Sequence, residues 1–262
     1  MNRRWVTLSA SVPGSSHRRT GTPCQDFCGH RRVRVGKDTV LVAVVADGAG
    51  SARLGRIGAH IAVRSTLRHL AETVKQRGNA AAVQRQDMVA ALTAVRRAVA
   101  RKAGHRPISD YACTLSVAII GCTGAAFGQV GDSVIVTRNE NTFQTVFWPD
   151  NGEFINTTVF LTSDPLEENL RFASHAVAPL DVALFTDGLN SVALNLSARS
   201  AHGPFFAPLF NSLRLQLRHR VPHRRLRRQL HQFLGCNEVD SRSDDDRTLI
   251  LISSLRGTCD GY

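Results

Sequence analysis

The stretch VLVAVVA at residues 40–46 stops abruptly at Asp47-Gly48-Ala49-Gly50-Ser51. Seven consecutive apolar residues, four of them valine, are too few for a buried helix and favour an extended backbone. The run has no polar face, so it predicts a strand covered on both sides. A carboxylate at the end of such a strand is held at a fixed angle.

Working outward, residues 5–12 alternate weakly and predict a strand, and residues 13–23 predict a polar loop containing Gly and Pro. On the other side, Ile57, Ile61, Val63, Leu67, Leu70 and Val74 recur near the helical period and predict a helix over 55–75. Val89, Leu92, Val95 and Val99 repeat the pattern over 86–102. Beyond these, residues 112–120, 124–130, 134–138 and 142–147 read as consecutive strands of a meander, with turns at G-C-T-G and R-N-E-N. Residues 151–169 look irregular, with one strand at 158–162. Strands follow at 172–177 and 181–185, then an arginine-rich helix and a closing strand at 248–253. Regular βαβ alternation is missing, which disfavours a doubly wound parallel sheet. The order fits an α+β domain in which helices cover packed antiparallel sheets.

The 262 residues carry 33 basic and 21 acidic side chains, a net charge of +12, and only Lys37, Lys75 and Lys102 are lysines. From residue 189 to 237 there is no Asp or Glu, while Arg199, Arg214, Arg218, Arg220, Arg224, Arg225, Arg227 and Arg228 add eight positive charges. This run reads as a solvated basic helix face or, over 214–228, as a surface that docks an acidic or phosphorylated partner. No recognition motif accompanies it, which argues against nucleic acid. No apolar run approaches the ~20 residues of a membrane span, and no secretion signal is legible, so a cytoplasmic protein is expected. Cys24, Cys28, Cys113, Cys122, Cys236 and Cys259 form no zinc-binding pattern and are expected to be buried, reduced thiols.

Acidic residues sit beside the apolar strands. Asp47 ends VLVAVVA, Asp132 follows AAFGQVG, Asp187 ends VALFT, and Asp244-Asp245-Asp246 precede TLILIS, while Asp26 lies in the early loop. Each alone reads as a turn former. Carboxylates that converge at ~4 Å repel by on the order of 4 kcal/mol per pair unless cations sit among them. An all-oxygen donor set selects hard ions such as Mg²⁺ or Mn²⁺.

Taken in order, the blocks Gln25-Asp26, Val45-Ala46-Asp47-Gly48-Ala49-Gly50, Gly131-Asp132-Ser133, Thr186-Asp187-Gly188-Leu189 and Asp245-Asp246-Arg247-Thr248 resemble the metal-dependent protein phosphatases of type 2C. The resemblance covers about residues 9–255 and is nearest to a short bacterial branch, through Gly14-Ser15-Ser16-His17 and Pro23-Cys24-Gln25-Asp26. It implies one catalytic domain over residues 1–262, a four-layer α-β-β-α sandwich with two antiparallel sheets, and two Mn²⁺ or Mg²⁺ ions at one end. It further implies that Asp47 bridges the ions, that the Gly48 carbonyl binds one, and that Asp187 and Asp245 are further ligands. Asp246 replaces Asp245 if the register slips by one. Asp26 would reach a metal through water, and Asp132 would help hold a weaker third ion. The implied reaction is attack of a metal-activated water on phosphoserine or phosphothreonine in a protein partner, within a Ser/Thr kinase system.

Two positions depart from the pattern. Gly21 stands where many members have a phosphate-gripping Arg, leaving His17, Arg18 and Arg19 as substitutes. Ala49 stands where some members have a His. Two other readings stay open: a catalytically weak binding module, and a two-metal hydrolase of another phosphate ester.

Overall fold

The computed structural model describes residues 4–149, 158–219 and 221–255. Part of the irregular 151–169 stretch, together with Arg220 and Cys259, lies outside these residues. The chain begins with β1 (Arg4–Val12), α1 (Ser15–Thr20), β2 (Phe27–Val35) and β3 (Asp38–Ala46), then α2 (Gly55–Arg77) and α3 (Arg85–Ala103). Next come β4 (Leu115–Ile120), β5 (Ala125–Val130), β6 (Val134–Asn139), β7 (Thr142–Thr145), α4 (Leu166–Asn169), β8 (Arg171–His175) and β9 (Asp181–Phe185). The last part holds α5 (Asn190–Ala193), β10 (Leu194–Asn195), β11 (Ser200–Ala201), α6 (Gly203–Arg218), α7 (His223–Leu234), α8 (Asn237–Asp240) and β12 (Arg247–Leu255).

Two five-stranded antiparallel sheets form, ordered β2-β3-β4-β5-β8 and β1-β12-β9-β6-β7. The period-two alternation of β3 explains its unbroken apolar run. Val40, Val42, Val44 and Ala46 pack under α2 and α3, beside Ala59, Val63, Leu70, Leu92 and Val95. Leu41, Ala43 and Val45 point the other way, to Ile135, Leu184, Ile250 and Ile252 of the opposite sheet. A third apolar layer joins the far face of that sheet, through Leu8, Val136, Phe185 and Leu251, to Phe206, Phe210, Leu226 and Leu230 of α6 and α7. The result is the expected four-layer arrangement.

Several local expectations change. The meander is split: β4 and β5 pair in one sheet, β6 and β7 in the other, and Gly131–Ser133 crosses between them. Residues 158–162 form no strand: among the described residues, their one backbone bond to another segment is from the Leu161 N–H to the Cys113 carbonyl at 2.9 Å, while the Phe160 N–H turns to Ser163 Oγ at 3.3 Å. β2 is unmarked by clean alternation, since His30, Arg31, Arg32 and Arg34 interrupt it, and it forms through its full register with β3. The polar loop at 13–23 contains α1, and the arginine-rich region makes two long helices. The five described cysteines are free, but only Cys113 is buried.

Candidate metal centre

Four loops meet at one end of the sandwich, and each begins or ends on a central strand. After Ala46 the chain leaves β3 as Asp47-Gly48-Ala49 and is stitched to the segment before β4. Thr114 N–H donates to the Asp47 carbonyl at 2.8 Å, Asp47 N–H donates to Thr114 Oγ1 at 3.1 Å, and Ala49 N–H donates to the Ala112 carbonyl at 3.0 Å. Thr114 Oγ1 also bonds Ser133 Oγ at 3.0 Å, tying in the loop that carries Asp132. The start of α2 presses on this loop so closely that a Cβ on Gly48 would lie 2.4 Å from the Gly55 carbonyl carbon. Only glycine fits there.

Asp187 follows β9 and Asp245 precedes its neighbour β12. These two loops also touch: a Cβ on Gly188 would lie 2.0 Å from the Asp246 carbonyl oxygen. Asp47, Asp132, Asp187 and Asp245 line one open cavity of about 170 Å³, together with Gly48, His17 and Thr158. Asp132 Oδ2 accepts a hydrogen bond from Thr158 Oγ1 at 2.8 Å. Asp26 is buried close enough for its charge to raise the pKa of Asp47. Its Oδ2 accepts from Thr186 Oγ1 at 2.7 Å.

The electrostatics follow from this crowding. Asp26 is pushed up to about 8 by burial, with the Asp246 and Asp187 charges adding to it against the hydrogen bond from Thr186. Asp187 is pushed up to about 6 by burial, then by Asp132 and Asp245. Asp47 rises well above the carboxylate range through burial and the charges of Asp26 and Asp187. Asp245 at the exposed rim is also raised, by loss of solvent and by Asp246. Among the described residues, no Lys or Arg lines the cavity to neutralise these groups.

Two buried carboxylate oxygens, Asp26 Oδ1 and Asp187 Oδ1, have no hydrogen-bond partner. A buried acceptor left unpaired costs about 1–3 kcal/mol, more for a charged group. Orphaned oxygens, repelling carboxylates and an all-oxygen donor set fit a hard divalent cation. As they stand, no three of the described His, Cys, Asp or Glu side chains are close enough to hold one ion together. Ligation therefore requires the carboxylates to draw in.

Asp246 behaves differently from Asp245. Its Oδ1 accepts from Gly14 N–H at 2.7 Å and lies 2.8 Å from His17 Nδ1, and its Oδ2 accepts from Gln25 N–H at 2.6 Å. Both oxygens are thus committed to the N-terminal loop. Of Asp245, Oδ1 accepts the Asp246 N–H at 2.7 Å. His17 lines the cavity, whereas its two neighbours do not. Arg18 is drawn to Asp240 and the Pro13 carbonyl, and exposed Arg19 lies 3.9 Å from Asp244. Gly21 is the left-handed cap of α1, at φ 71°.

Sequence reasoning missed Thr114, Thr158, Thr186 and Arg247. Thr186 Oγ1 bridges Asp26 and the Thr248 N–H at 3.0 Å. Buried Arg247 donates to the Leu234 carbonyl at 2.9 Å, to Asp240, and to the Asp245 carbonyl at 3.2 Å, fixing the approach to β12. Their signal was adjacency: Thr186 and Arg247 each neighbour an acidic residue of a quoted block.

The sequence model of the family described as protein phosphatase 2C matches residues 13–235. The chain belongs to the protein phosphatase 2C family. Its similarity to Serine/threonine-protein phosphatase 3 of Escherichia coli strain K12 is 34% identity over 251 residues, covering 94% of this chain and 97% of that one. Among solved structures, the S. agalactiae serine/threonine phosphatase superposes with a TM-score of 0.63 at 16% identity, over 95% of this chain and 99% of that one. The catalytic domain of the serine threonine protein phosphatase PstP, in complex with two manganese ions, gives 0.62 at 16% identity, over 96% and 99%. At such identities these likenesses concern the fold, and family membership rests on the first two comparisons.

Proposed function

We propose that this member of the protein phosphatase 2C family is a metal-dependent protein serine/threonine phosphatase, one catalytic domain acting in the cytoplasm on phosphoserine and phosphothreonine, opposite a Ser/Thr kinase. The observation that carries this is the convergence of Asp47, Asp132, Asp187 and Asp245 on one cavity without a cationic Lys or Arg. The relative's name and the two manganese ions of the PstP domain support the same reading.

In this reading Asp47, the Gly48 carbonyl, Asp187 and Asp245 hold two Mn²⁺ or Mg²⁺ ions, Asp26 assists from beneath, and Asp132 holds a weaker third. Bound there, such ions would supply an activated water near neutral pH and offset charge on phosphate. Asp245 is favoured over Asp246 because both Asp246 oxygens are occupied by the Gly14, His17 and Gln25 donors. Asp246 instead positions the N-terminal loop. It holds His17 at the cavity, where that imidazole, rather than Arg18 or Arg19, is the side chain able to meet a phosphate oxygen.

Two cysteines close in the chain to site residues, Cys24 and Cys113, are poor candidates for a covalent route. Burial and then Asp26 raise the Cys24 thiol, and burial and Asp47 raise Cys113, so both stay protonated and poorly nucleophilic. Release of phosphate from a phosphothreonine peptide should require Mn²⁺ or Mg²⁺ and be almost abolished by Asp47→Ala and by Asp187→Ala, each still folded. Turnover persisting in either variant would refute the assignment.

A further inference from the structure

A second polar concavity, of about 410 Å³, lies outside the carboxylate site, between α7 and the edge strand β1. It is lined by Ser9 and Ser11 and by His223, Arg224, Arg227, Arg228 and His231. Positions 224, 227, 228 and 231 recur at i, i+3, i+4 and i+7, which places them along one stripe of the helix. A flanking stripe, Leu226, Leu230 and Leu234, is buried in the core and fixes the helix's rotation.

The charge of this stripe is uncompensated. Several arginines elsewhere in the fold are paired: Arg138 and Arg214 hold Asp181 at 2.6 and 2.7 Å, and Arg18 and Arg247 hold Asp240. Arg214 therefore leaves the basic surface expected at 214–228. Among the described residues, the side chains of Arg224, Arg225, Arg227 and Arg228 make no salt bridge or hydrogen bond. They also crowd the start of a helix that has no acidic residue in its first turn and no side-chain cap. Cations there oppose the helix dipole. His30 on β2 lies 2.9 Å from Thr7 Oγ1, and its pKa is lowered by burial and by the nearby Arg32, His223 and Arg227.

The floor offers hydrogen bonds. Among the described residues β1 pairs with β12 alone, and the carbonyls of Trp5 and Thr7 on its outer edge are taken by Arg32 at 3.0 Å and His223 at 2.9 Å. Backbone groups of a strand alternate in direction, so Ser9 and Ser11 aim their N–H and C=O at the same edge. No backbone partner meets them there among the described residues. An edge with free backbone groups beside a basic stripe suits an extended chain with acidic side chains.

We propose that this groove docks an extended, acidic stretch of a phosphoprotein substrate, outside the catalytic cavity. The substrate part rests on the phosphatase reading above. The groove's position supports it: β1 runs from Ser9 and Ser11 directly into the Gly14 loop that Asp246 pins beside the cavity.

Binding separates the two proposals. Fluorescence anisotropy should show a labelled, unphosphorylated Asp/Glu-rich peptide binding wild-type protein. The triple variant Arg224→Glu, Arg227→Glu, Arg228→Glu should weaken this by about tenfold, the size expected for three exposed charge pairs. The corresponding Gln variant should show a smaller loss. Hydrolysis of p-nitrophenyl phosphate should be unchanged, while kcat/KM for a phosphothreonine peptide carrying the acidic stretch falls in parallel with affinity. Equal affinity of wild type and both variants would overturn the proposal. So would tighter, variant-sensitive binding of a single-stranded oligonucleotide of equal charge or of vesicles containing anionic lipid. A chain that hydrolyses nothing refutes the phosphatase reading, while the anisotropy still decides the groove.

Discussion

Replacing Asp187 by Asn should stabilise the metal-free protein while abolishing its activity. Asp187 titrates at about 6 in the folded chain, against an ordinary 3.8, because it is buried beside Asp132 and Asp245. A group whose folded pKa is raised binds more protons in the native state, so the stability it confers when protonated is lost as pH rises through the folded pKa. At pH 8 Asp187 is ionised in both states, and the shift from 3.8 to about 6 costs the fold on the order of 3 kcal/mol. At pH 5 it is mostly protonated when folded and ionised when unfolded, and the cost is roughly half as large. Asn carries no charge and can donate to Asp47, so it removes the cost. With an unfolding entropy of about 2.1 cal/mol/K per residue, the gain at pH 8 corresponds to roughly 5 °C in Tm. Thermal melts in EDTA at pH 8 and pH 5 should therefore show the variant above wild type, with the difference near halved at pH 5. Adding Mn²⁺ should raise wild type and leave the variant nearly unmoved. A variant that melts below wild type at pH 8, or a gain independent of pH, would refute the idea that the carboxylates are held in unrelieved repulsion.

Other perturbations follow from the same contacts. Asp246→Asn puts an amide against a backbone N–H donor, and should lower stability by about 1–3 kcal/mol in chemical denaturation and reduce kcat, since the loop carrying His17 and Asp26 loses its clamp. A wild-type denaturation midpoint would contradict that role. Asp181→Ala leaves Arg138, Arg214 and Ser253 without their shared buried acceptor, and should cost about 3–5 kcal/mol in a urea melt. Gly188→Ala forces a methyl against the Asp246 carbonyl and should cost about 1–3 kcal/mol and most of the phosphatase rate, measured by melting and by phosphate release. An unchanged midpoint for Asp181→Ala would show that its partners find other acceptors, and an unchanged Tm for Gly188→Ala that the loop contact gives way without strain.

Much of this architecture was legible because burial writes itself into sequence. β3 reads as an unbroken apolar run because helices cover one face and a sheet the other, and α2 and α3 show the period of one buried face. The order of acidic blocks at strand ends was enough to name the family, and four of the quoted aspartates, Asp47, Asp132, Asp187 and Asp245, line one cavity. What escaped was set by contacts distant in the chain. β2 is half polar, and its pairing with β3, not its own pattern, makes it a strand. The split of β4–β5 from β6–β7 is invisible locally, since each hairpin carries the same turn chemistry whichever sheet it joins. The difference between Asp245 and Asp246 was equally hidden. It depends on Gly14 and Gln25 lying across β12, more than 200 residues away in sequence. The fates of Arg18 and Arg19 were decided by Asp240 and Asp244, which no spacing rule brings near.

The central claim is that acidic side chains from four separate loops close around hard divalent cations. Crystals grown with Mn²⁺, with diffraction collected at the manganese absorption edge, test it most directly. Two anomalous peaks among Asp47, Asp187 and Asp245, with Asp246 still bonded to Gly14 and Gln25, are the predicted result. Absence of manganese from that cavity at saturating concentration, with the carboxylates unmoved, would contradict it.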